Sequence, residues 1–296
     1  MDNLNLDKIK NMIRFSFGAD AFAFGYQWTY DITKNLEQYD KTGFELINPM
    51  AKKYHPKRTA GDFGPYADQE LILLDTMTET RSFNPQRFMV VWYNLWRIGY
   101  DDWIDMATKI TLSTHKGSHS NEISPIGRMA PLFLMQNANL KEMQDMAAEY
   151  IALTHNNHEV IEFGKFIIHL IDELLKGTDL LQAINDTKGK YTYCQKYVDI
   201  GLEMSNHNWQ TLMEAEVPTS CEIGASGPLT IYLLVKFWDN PADMFAYNAI
   251  FDGDTCARAQ ILALIVGLVK DYPDFAQHWF ENLHKKDKID SMLKIL

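Results

Sequence analysis

The stretch FDGDTCARAQILALIVGLV, residues 251–269, indicates the fold most strongly. Its second half, residues 261–269, is apolar on nearly every side of a helix. A helix at a protein surface keeps one polar face, whereas a helix that is apolar all round is buried. The stretch therefore predicts a helix in the middle of the protein, with Asp252 and Asp254 at its start.

Further helices are predicted on both sides of this stretch. Residues 159–176 place apolar side chains at three- and four-residue spacing, with Asn156 and Asn157 available to cap the start and Gly177 to end it. Proline suits the first helical position, because the N–H that it lacks has no partner there. Three pairs therefore predict helix starts: Asn84-Pro85, Gly227-Pro228 and Asn240-Pro241.

The rest of the chain adds no competing signal. We find no alternating run of β-branched residues, no Gly/Ser linker, no low-complexity segment and no internal repeat. Hydrophobic residues make up 46% of the 296 residues, enough for a sizeable core. The sequence predicts an all-α fold in a single compact multi-helix domain over residues 1–296, with loops at about 40–67, 111–127 and 215–227.

Charge and composition limit the classes of molecule that the protein is expected to bind. A formal net charge of −11 repels phosphate backbones, so a nucleic acid is not expected as a partner. A small phosphate-bearing ligand can still bind at a local cluster of donors. The 3 cysteines do not have the spacing of a zinc site, and we expect them to be reduced thiols. With no signal-peptide pattern and no stretch of ~20 apolar residues, we expect a cytoplasmic protein without a membrane partner.

Two acidic clusters interrupt otherwise apolar helical sequence. One is GPYADQE, residues 64–70, and the other is FDGDTCA, residues 251–257. Acidic residues are common at helix starts, where they cap the backbone and interact favourably with the helix dipole. From the sequence alone, this structural explanation and a functional one have equal weight. The alternative is that carboxylates converging from two helix starts hold a hard cation such as Mg²⁺.

The order and spacing of six segments over residues 10–270 resemble the ADP-ribosylglycohydrolase family. FGADAFA (17–23) is similar to the family's G-D-A-x-G element, and YADQELILLDTM (66–77) to its T-D-D-T-Q-x-T-L helix start. FNP (83–85) with the two tryptophans after it, IGRMAP (126–131), TH (154–155) and NAIFDGDTCA (248–257) resemble four further elements. The resemblance implies an all-helical fold and hydrolysis of a glycosidic bond at the ribose of ADP-ribose, carried on a protein or a small molecule.

The same segments depart from the family where it holds two magnesium ions. Carried over by position, Asp68 and Asp254 are retained, while Gln69 and Cys256 stand in place of aspartates. Gln27 occupies the place of a further acidic residue. Thiolate is a soft ligand, so Cys256 does not restore a magnesium site. The resemblance with these departures predicts that the two-metal site is incomplete, although Glu70 and Asp252 could rebuild a single cation site.

The resemblance also assigns roles to residues. Asp68 and Asp254 are the expected metal ligands, with Mg²⁺ as the family's cofactor, and Glu70 or Asp252 is the candidate general base. Expected ligand-binding residues are Asp20, Ser124, Arg128 and His155. Two hypotheses stay open: a hydrolase with reduced or altered activity, and an inactive relative that binds ADP-ribose or another nucleotide or acts as a structural or interaction protein, as the family's lens crystallins do.

Three other patterns are better explained without chemistry. His155 and His158 lack a third metal ligand, so they indicate polar residues around a helix start. THKGSHSNE, residues 114–122, is typical of a solvated loop, although Lys116 could contact a phosphate. The aromatic run between Phe15 and Tyr30 is expected to be mostly core, with a stacking platform as the alternative.

Overall fold

The computed structural model describes residues 4–295, so Met1–Asn3 and Leu296 lie outside the description. The described chain folds into sixteen α-helices and one short 3₁₀ helix, Ala130–Leu134. The first eight helices are α1 (Leu6–Phe24), α2 (Ile32–Thr42), α3 (Pro65–Thr80), α4 (Pro85–Arg97), α5 (Met106–Thr114), α6 (Ser124–Gly127), α7 (Leu140–Thr154) and α8 (His158–Leu175). The others are α9 (Leu180–Lys188), α10 (Gln195–Met204), α11 (Trp209–Glu214), α12 (Ile223–Lys236), α13 (Pro241–Ile250), α14 (Thr255–Val269), α15 (Asp274–Glu281) and α16 (Lys286–Ile295).

The centre of the fold is the pair formed by α1 and α14, which pack along each other. Every residue of α14 except its last is buried. The two helices approach closely because Gly267 has no side chain: a Cβ there would lie 3.0 Å from Cγ of Met12. The prediction that residues 261–269 form a helix in the middle of the protein is confirmed.

The capping signals place most of the predicted helix ends correctly. The side chain of Asn84 accepts a hydrogen bond from the N–H of Arg87 at the start of α4, and Asn240 accepts from Asp243 at the start of α13. Asn157 accepts from the first turn of α8 at 2.9 Å. These contacts satisfy N–H groups that have no partner inside their own helix.

The helix start predicted at Gly227-Pro228 is wrong. Pro228 lies inside α12, which begins five residues earlier at Ile223 and has Glu222 as its N-cap. A proline in the second turn removes one N–H and crowds the carbonyl of the residue four positions before it. That residue is Gly224, whose carbonyl therefore lacks its usual N–H partner within α12.

The all-α fold class is confirmed. Within residues 4–295 the extended backbone forms isolated bridges and no strand ladder. In the same part of the chain no helix has the length and apolar character needed to cross a membrane. Cys194, Cys221 and Cys256 are free thiols.

Candidate functional site

Three aspartates from different helices lie near one another at the starts of α3 and α14. Asp20 is buried in α1 and accepts a hydrogen bond from the N–H of Gly64, the N-cap of α3, at 2.6 Å. Burial raises the pKa of Asp20 to about 7, and the negative charges of Asp68 and Asp254 contribute to the rise. Asp20 therefore lies close to an aspartate of each acidic cluster.

Asp68 is neutralised by cations of the chain itself. Its Oδ2 accepts from Arg58 Nη2 at 2.8 Å and from the hydroxyl of Tyr100 at 2.8 Å. Its Oδ1 accepts from Lys285 Nζ at 2.6 Å. Both oxygens of this buried carboxylate thus face donors, and two of the three donors carry a positive charge.

The same arginine also binds a second carboxylate. Arg58 Nε donates to Asp102 Oδ2 at 2.9 Å, and the other oxygen of Asp102 lies 2.8 Å from His55 Nδ1. We call Arg58, Asp68, Asp102 and Lys285 the ion-pair cluster. Its two cations balance its two carboxylates, which lowers the cost of burying Asp68, Asp102 and most of Arg58, while Lys285 stays partly exposed.

Asp254, by contrast, keeps one oxygen free of the described side chains. Its Oδ1 accepts from Gln27 Nε2 at 2.7 Å, while its buried Oδ2 has no hydrogen-bond partner within residues 4–295. Gln27 is itself oriented, because its Oε1 accepts from the N–H of Cys256 at 2.8 Å and from Thr255. Burial raises the pKa of Asp254 to about 6, against the opposing effects of Gln27, Arg258 and the nearby Tyr66 hydroxyl.

The two candidate general bases are held in other contacts. Glu70 is fully buried between α1 and α14, and its Oε2 accepts from Ser16 at 2.9 Å and from Gln260 at 2.7 Å. Burial raises the pKa of Glu70 well above its usual value. Asp252 has a left-handed backbone, with φ of 68°, and its carboxylate accepts from Thr29 and from the N–H of Asp31. These contacts hold one oxygen of Glu70 in the core and the carboxylate of Asp252 at a turn, while Glu70 Oε1 has no partner in the described chain.

The expected ligand-binding residues of the second half of the site do lie together. Arg128 Nη2 donates to Thr154 Oγ1 at 2.6 Å, and His155 Nδ1 lies 3.0 Å from the same hydroxyl. His155 Nε2 is 3.7 Å from Glu122 Oε2. Burial and the charge of Arg128 lower the pKa of His155 to about 3, so its imidazole is neutral.

This second group borders the first. Burial raises the pKa of Glu122 to about 7, and the Glu122 charge in turn contributes to the raised pKa of Asp254. Burial raises the pKa of Tyr66, and the charges of Asp254 and Glu122 add to the rise, so its hydroxyl lies near both groups. We call the group formed by Asp254, Tyr66, Glu122 and Arg128 the candidate cleft.

The candidate cleft carries buried polar atoms that the described residues leave without a hydrogen-bond partner. Buried polar groups are normally paired, so a set of unpaired ones at one place indicates a site built for a ligand or water. In the cleft they are the Tyr66 hydroxyl, Glu122 Oε2, Arg128 Nε and Nη1, and Asp254 Oδ2; elsewhere in the described chain, Asp20, Ser124, His155 and Glu70 are among the buried residues that also carry an unpaired polar atom.

Sequence reasoning did not find the residues that neutralise Asp68. Lys285 is 217 positions away from its partner, and no local pattern marks it or Arg58. Tyr66 and Glu122 were within quoted motifs or loops, but their types alone gave no reason to select them. Their common signal is burial beside other polar groups, which only the fold reveals.

Comparisons with known proteins agree with the architecture. A protein-family model described as ADP-ribosylglycohydrolase matches residues 1–296. Crystallin J1A from Tripedalia cystophora is 23% identical over 232 residues, covering 68% of this chain and 70% of that relative. A solved structure described as an ADP-ribosylglycohydrolase-related protein complex has a TM-score of 0.69, 16% sequence identity and coverage of 98% of each chain. At that identity, the structural likeness supports the fold alone.

Proposed function

This chain belongs to the ADP-ribosylglycohydrolase family, and we propose that it binds ADP-ribose or an ADP-ribosylated molecule in the candidate cleft without a two-magnesium centre. The proposal keeps the ligand class that the family implies. It departs from the family in the means of binding, because the side chains present here do not suit the metals.

The ion-pair cluster is the reason that magnesium does not fit. A binuclear magnesium site needs several anionic oxygens that face the ions. Both oxygens of Asp68 face Arg58, Tyr100 and Lys285, and a dication would have to displace two positive groups. Among residues 4–295 no three His, Cys, Asp or Glu side chains are arranged to hold a metal ion. Of the two acids that could have rebuilt a single site, Asp252 accepts from Thr29 and Asp31, and Glu70 accepts through Oε2 from Ser16 and Gln260.

The unpaired polar atoms of the candidate cleft carry the proposal. Ribose hydroxyls can donate to Asp254 Oδ2 and to Glu122 Oε2, both of which lack a partner in the described chain. The unpaired Nε and Nη1 of Arg128 are suitable donors for a phosphate oxygen. Neutral His155 offers Nε2 to a hydroxyl or a phosphate, according to its tautomer. Each such contact would satisfy a buried group that is costly to leave alone.

Hydrolysis is the second candidate function, and the state of Asp254 favours it. With a pKa of about 6 and a free oxygen, Asp254 is ionised at neutral pH and can accept a proton from a water molecule. The water oxygen would form a bond to the ribosyl C1″ while the bond from C1″ to the leaving group breaks. This candidate replaces Glu70 and Asp252 with Asp254 as the base.

A calorimetric titration of ADP-ribose tests the proposal. We expect binding of the same affinity with EDTA and with Mg²⁺, and loss of binding in Asp254→Ala. Asp271→Ala is the matched control, because the Asp271 side chain is 86% exposed and lies 3.5 Å from Lys8 Nζ. Binding that appears only with Mg²⁺ would refute the metal-free site. Release of ADP-ribose from a modified protein, lost in Asp254→Asn, would establish the second candidate.

A further inference from the structure

A cavity of about 660 Å³ lies outside the candidate cleft, between α3, α4 and the start of α16. It borders the ion-pair cluster, because Arg58, Asp68 and Lys285 are among the residues that line it. The four residues of the candidate cleft do not line it. Its volume is within the range of pockets that hold small molecules. The cavity is therefore a candidate for a second ligand site.

The wall of this cavity is mostly apolar. Its aliphatic side chains come from two helices and from the turn after the second one: Leu71, Ile72, Val91, Leu95 and Ile98. They face one space because residues three or four positions apart lie on the same side of a helix. Ile98 is 83% exposed, so part of the wall is open to solvent. An aliphatic group in the cavity would remove this apolar surface from water, which is favourable.

Guanidinium and ammonium groups meet at one end of the cavity. Arg58 donates through Nε to Asp102 and through Nη2 to Asp68, and its Nη1 has no hydrogen-bond partner in the described chain. The Arg58 side chain is only 11% exposed, so these contacts hold the guanidinium in one orientation. Lys285 Nζ donates to Asp68 and has two further N–H groups. The cluster thus keeps donors for an anionic group.

Lys288 gives this end of the cavity one unbalanced positive charge. It lines the cavity three positions after Lys285, whose carbonyl accepts from the N–H of Ile289 at 3.1 Å, as in a helix. Residues three positions apart are neighbours on a helix surface, so Lys285 and Lys288 lie side by side. The ion-pair cluster is neutral by itself, and Lys288 has no ion-pair partner within residues 4–295.

The other two aspartates of the cavity wall do not supply the missing charge. Asp101 lies 3.7 Å from Lys57 Nζ and is paired there. Asp75 is exposed and follows Asp68 by seven positions, about 10 Å along the axis of α3. The cavity therefore has cations at the Asp68 end and a carboxylate at the other end of its α3 wall.

We propose that this cavity binds a medium-chain aliphatic carboxylate, with its head group at Arg58 Nη1, Lys285 and Lys288. The single negative charge of the ligand matches the one unbalanced cation, and its hydrocarbon chain covers the apolar wall. An ammonium head group would instead face three cations, and a second carboxylate at the tail would approach Asp75. The inference does not rest on the proposed function, because no residue of the candidate cleft takes part.

The first measurement compares small probes by calorimetry. Octanoate should bind about tenfold more tightly than 1-octanol, because hydrogen bonds between charged groups are stronger than those of a hydroxyl. Hexanoate should bind about tenfold more weakly than octanoate, since each buried methylene contributes about threefold to fourfold. Octanedioate should also bind more weakly than octanoate. Octylammonium binding as tightly as octanoate, or no measurable binding of octanoate, would overturn the proposal.

The second measurement uses variants at the two ends of the ligand. Lys288→Gln should weaken octanoate binding about threefold to fivefold and leave 1-octanol binding unchanged, which also shows that the cavity is intact. Lys294→Gln is the matched control, because Lys294 is an exposed lysine of the same helix that does not line the cavity. Ile98→Ser should weaken octanoate and 1-octanol alike, at least about threefold, with the exposed Ile200→Ser as its control.

Two results would overturn the site. One is an unchanged octanoate affinity in Lys288→Gln, and the other is a loss in Lys294→Gln that equals the loss in Lys288→Gln. ADP-ribose titrated into the same variants reports on the candidate cleft separately, so a failure of the cavity and a failure of the cleft are distinguished.

Discussion

Replacing Asp68 with asparagine removes the negative charge that Arg58 and Lys285 share. Removing one partner of a buried ion pair typically costs about 3–5 kcal/mol, because the other charge is left uncompensated. Here Arg58 keeps Asp102 at 2.9 Å, and Lys285, whose side chain is 38% exposed, can turn to water. Both features reduce the loss, so we expect Asp68→Asn to lower the free energy of unfolding by about 2–3 kcal/mol.

Thermal unfolding followed by circular dichroism measures this loss. An unfolding entropy of about 2.1 cal/mol/K per residue gives about 0.6 kcal/mol/K for this chain, so the expected fall in Tm is about 3–5 °C. Asp75→Asn is the control on the same helix, because Asp75 is exposed and its replacement should change Tm by less than about 1 °C.

Measuring the fall in Tm in two buffers shows whether protein cations or Mg²⁺ compensate the charge of Asp68. The fall should be equal in EDTA and in Mg²⁺, since protein cations compensate Asp68 in the structure. The reasoning is refuted if Asp68→Asn leaves Tm unchanged, or if Mg²⁺ stabilises the unaltered protein and this stabilisation disappears in the variant.

Three further changes test other contacts. Glu70→Gln should reduce the pH dependence of protein stability. An acid whose pKa is raised in the folded state makes the protein less stable as pH rises above the ordinary pKa of 4.5, so urea unfolding from pH 5 to 8 should show a smaller decline in the variant. An identical decline in both proteins would contradict a raised pKa of Glu70. Gln27→Glu places a carboxylate against Asp254 Oδ1 in place of an amide donor. The free energy of unfolding should therefore fall by about 1–3 kcal/mol at pH 8, and much of this loss should disappear at pH 5. Equal losses at both pH values would rule out charge repulsion as the cause. Gly253→Ala should cost more than about 2 kcal/mol, because φ is 68° and the new Cβ would lie 1.9 Å from the carbonyl oxygen of Thr219; a cost below 1 kcal/mol would show that this turn relaxes freely.

The sequence predicted the features that depend on neighbouring residues. The apolar run 261–269 predicted the buried helix, and Asn84 and Asn240 predicted two helix starts, because periodicity and capping act within a few positions. Pro228 was misinterpreted for the same reason: its local signal is that of a helix start, while Glu222 and packing along α12 decide where the helix begins.

The candidate site was predictable only in part. Motif order selects Asp20, Asp254, Arg128 and His155; in the structure Asp20 lies near Asp254, and Arg128 and His155 share the hydroxyl of Thr154. The pairing of Asp68 with positive charges of the chain was not predictable, because it depends on Lys285, which only folding brings near. A motif can show that an acidic residue is retained, but it cannot show which charge faces it.

The ion-pair cluster has a consequence for how the protein is made. Asp68 is synthesised 217 residues before Lys285, so the carboxylate leaves the ribosome long before its second counter-charge exists. The segment that follows α15 is then fastened by His284, whose N–H donates to the carbonyl of Gly61 at 2.9 Å. The neutralisation of Asp68 is therefore completed only after Lys285 has been made, later than the helix α14 that packs along α1.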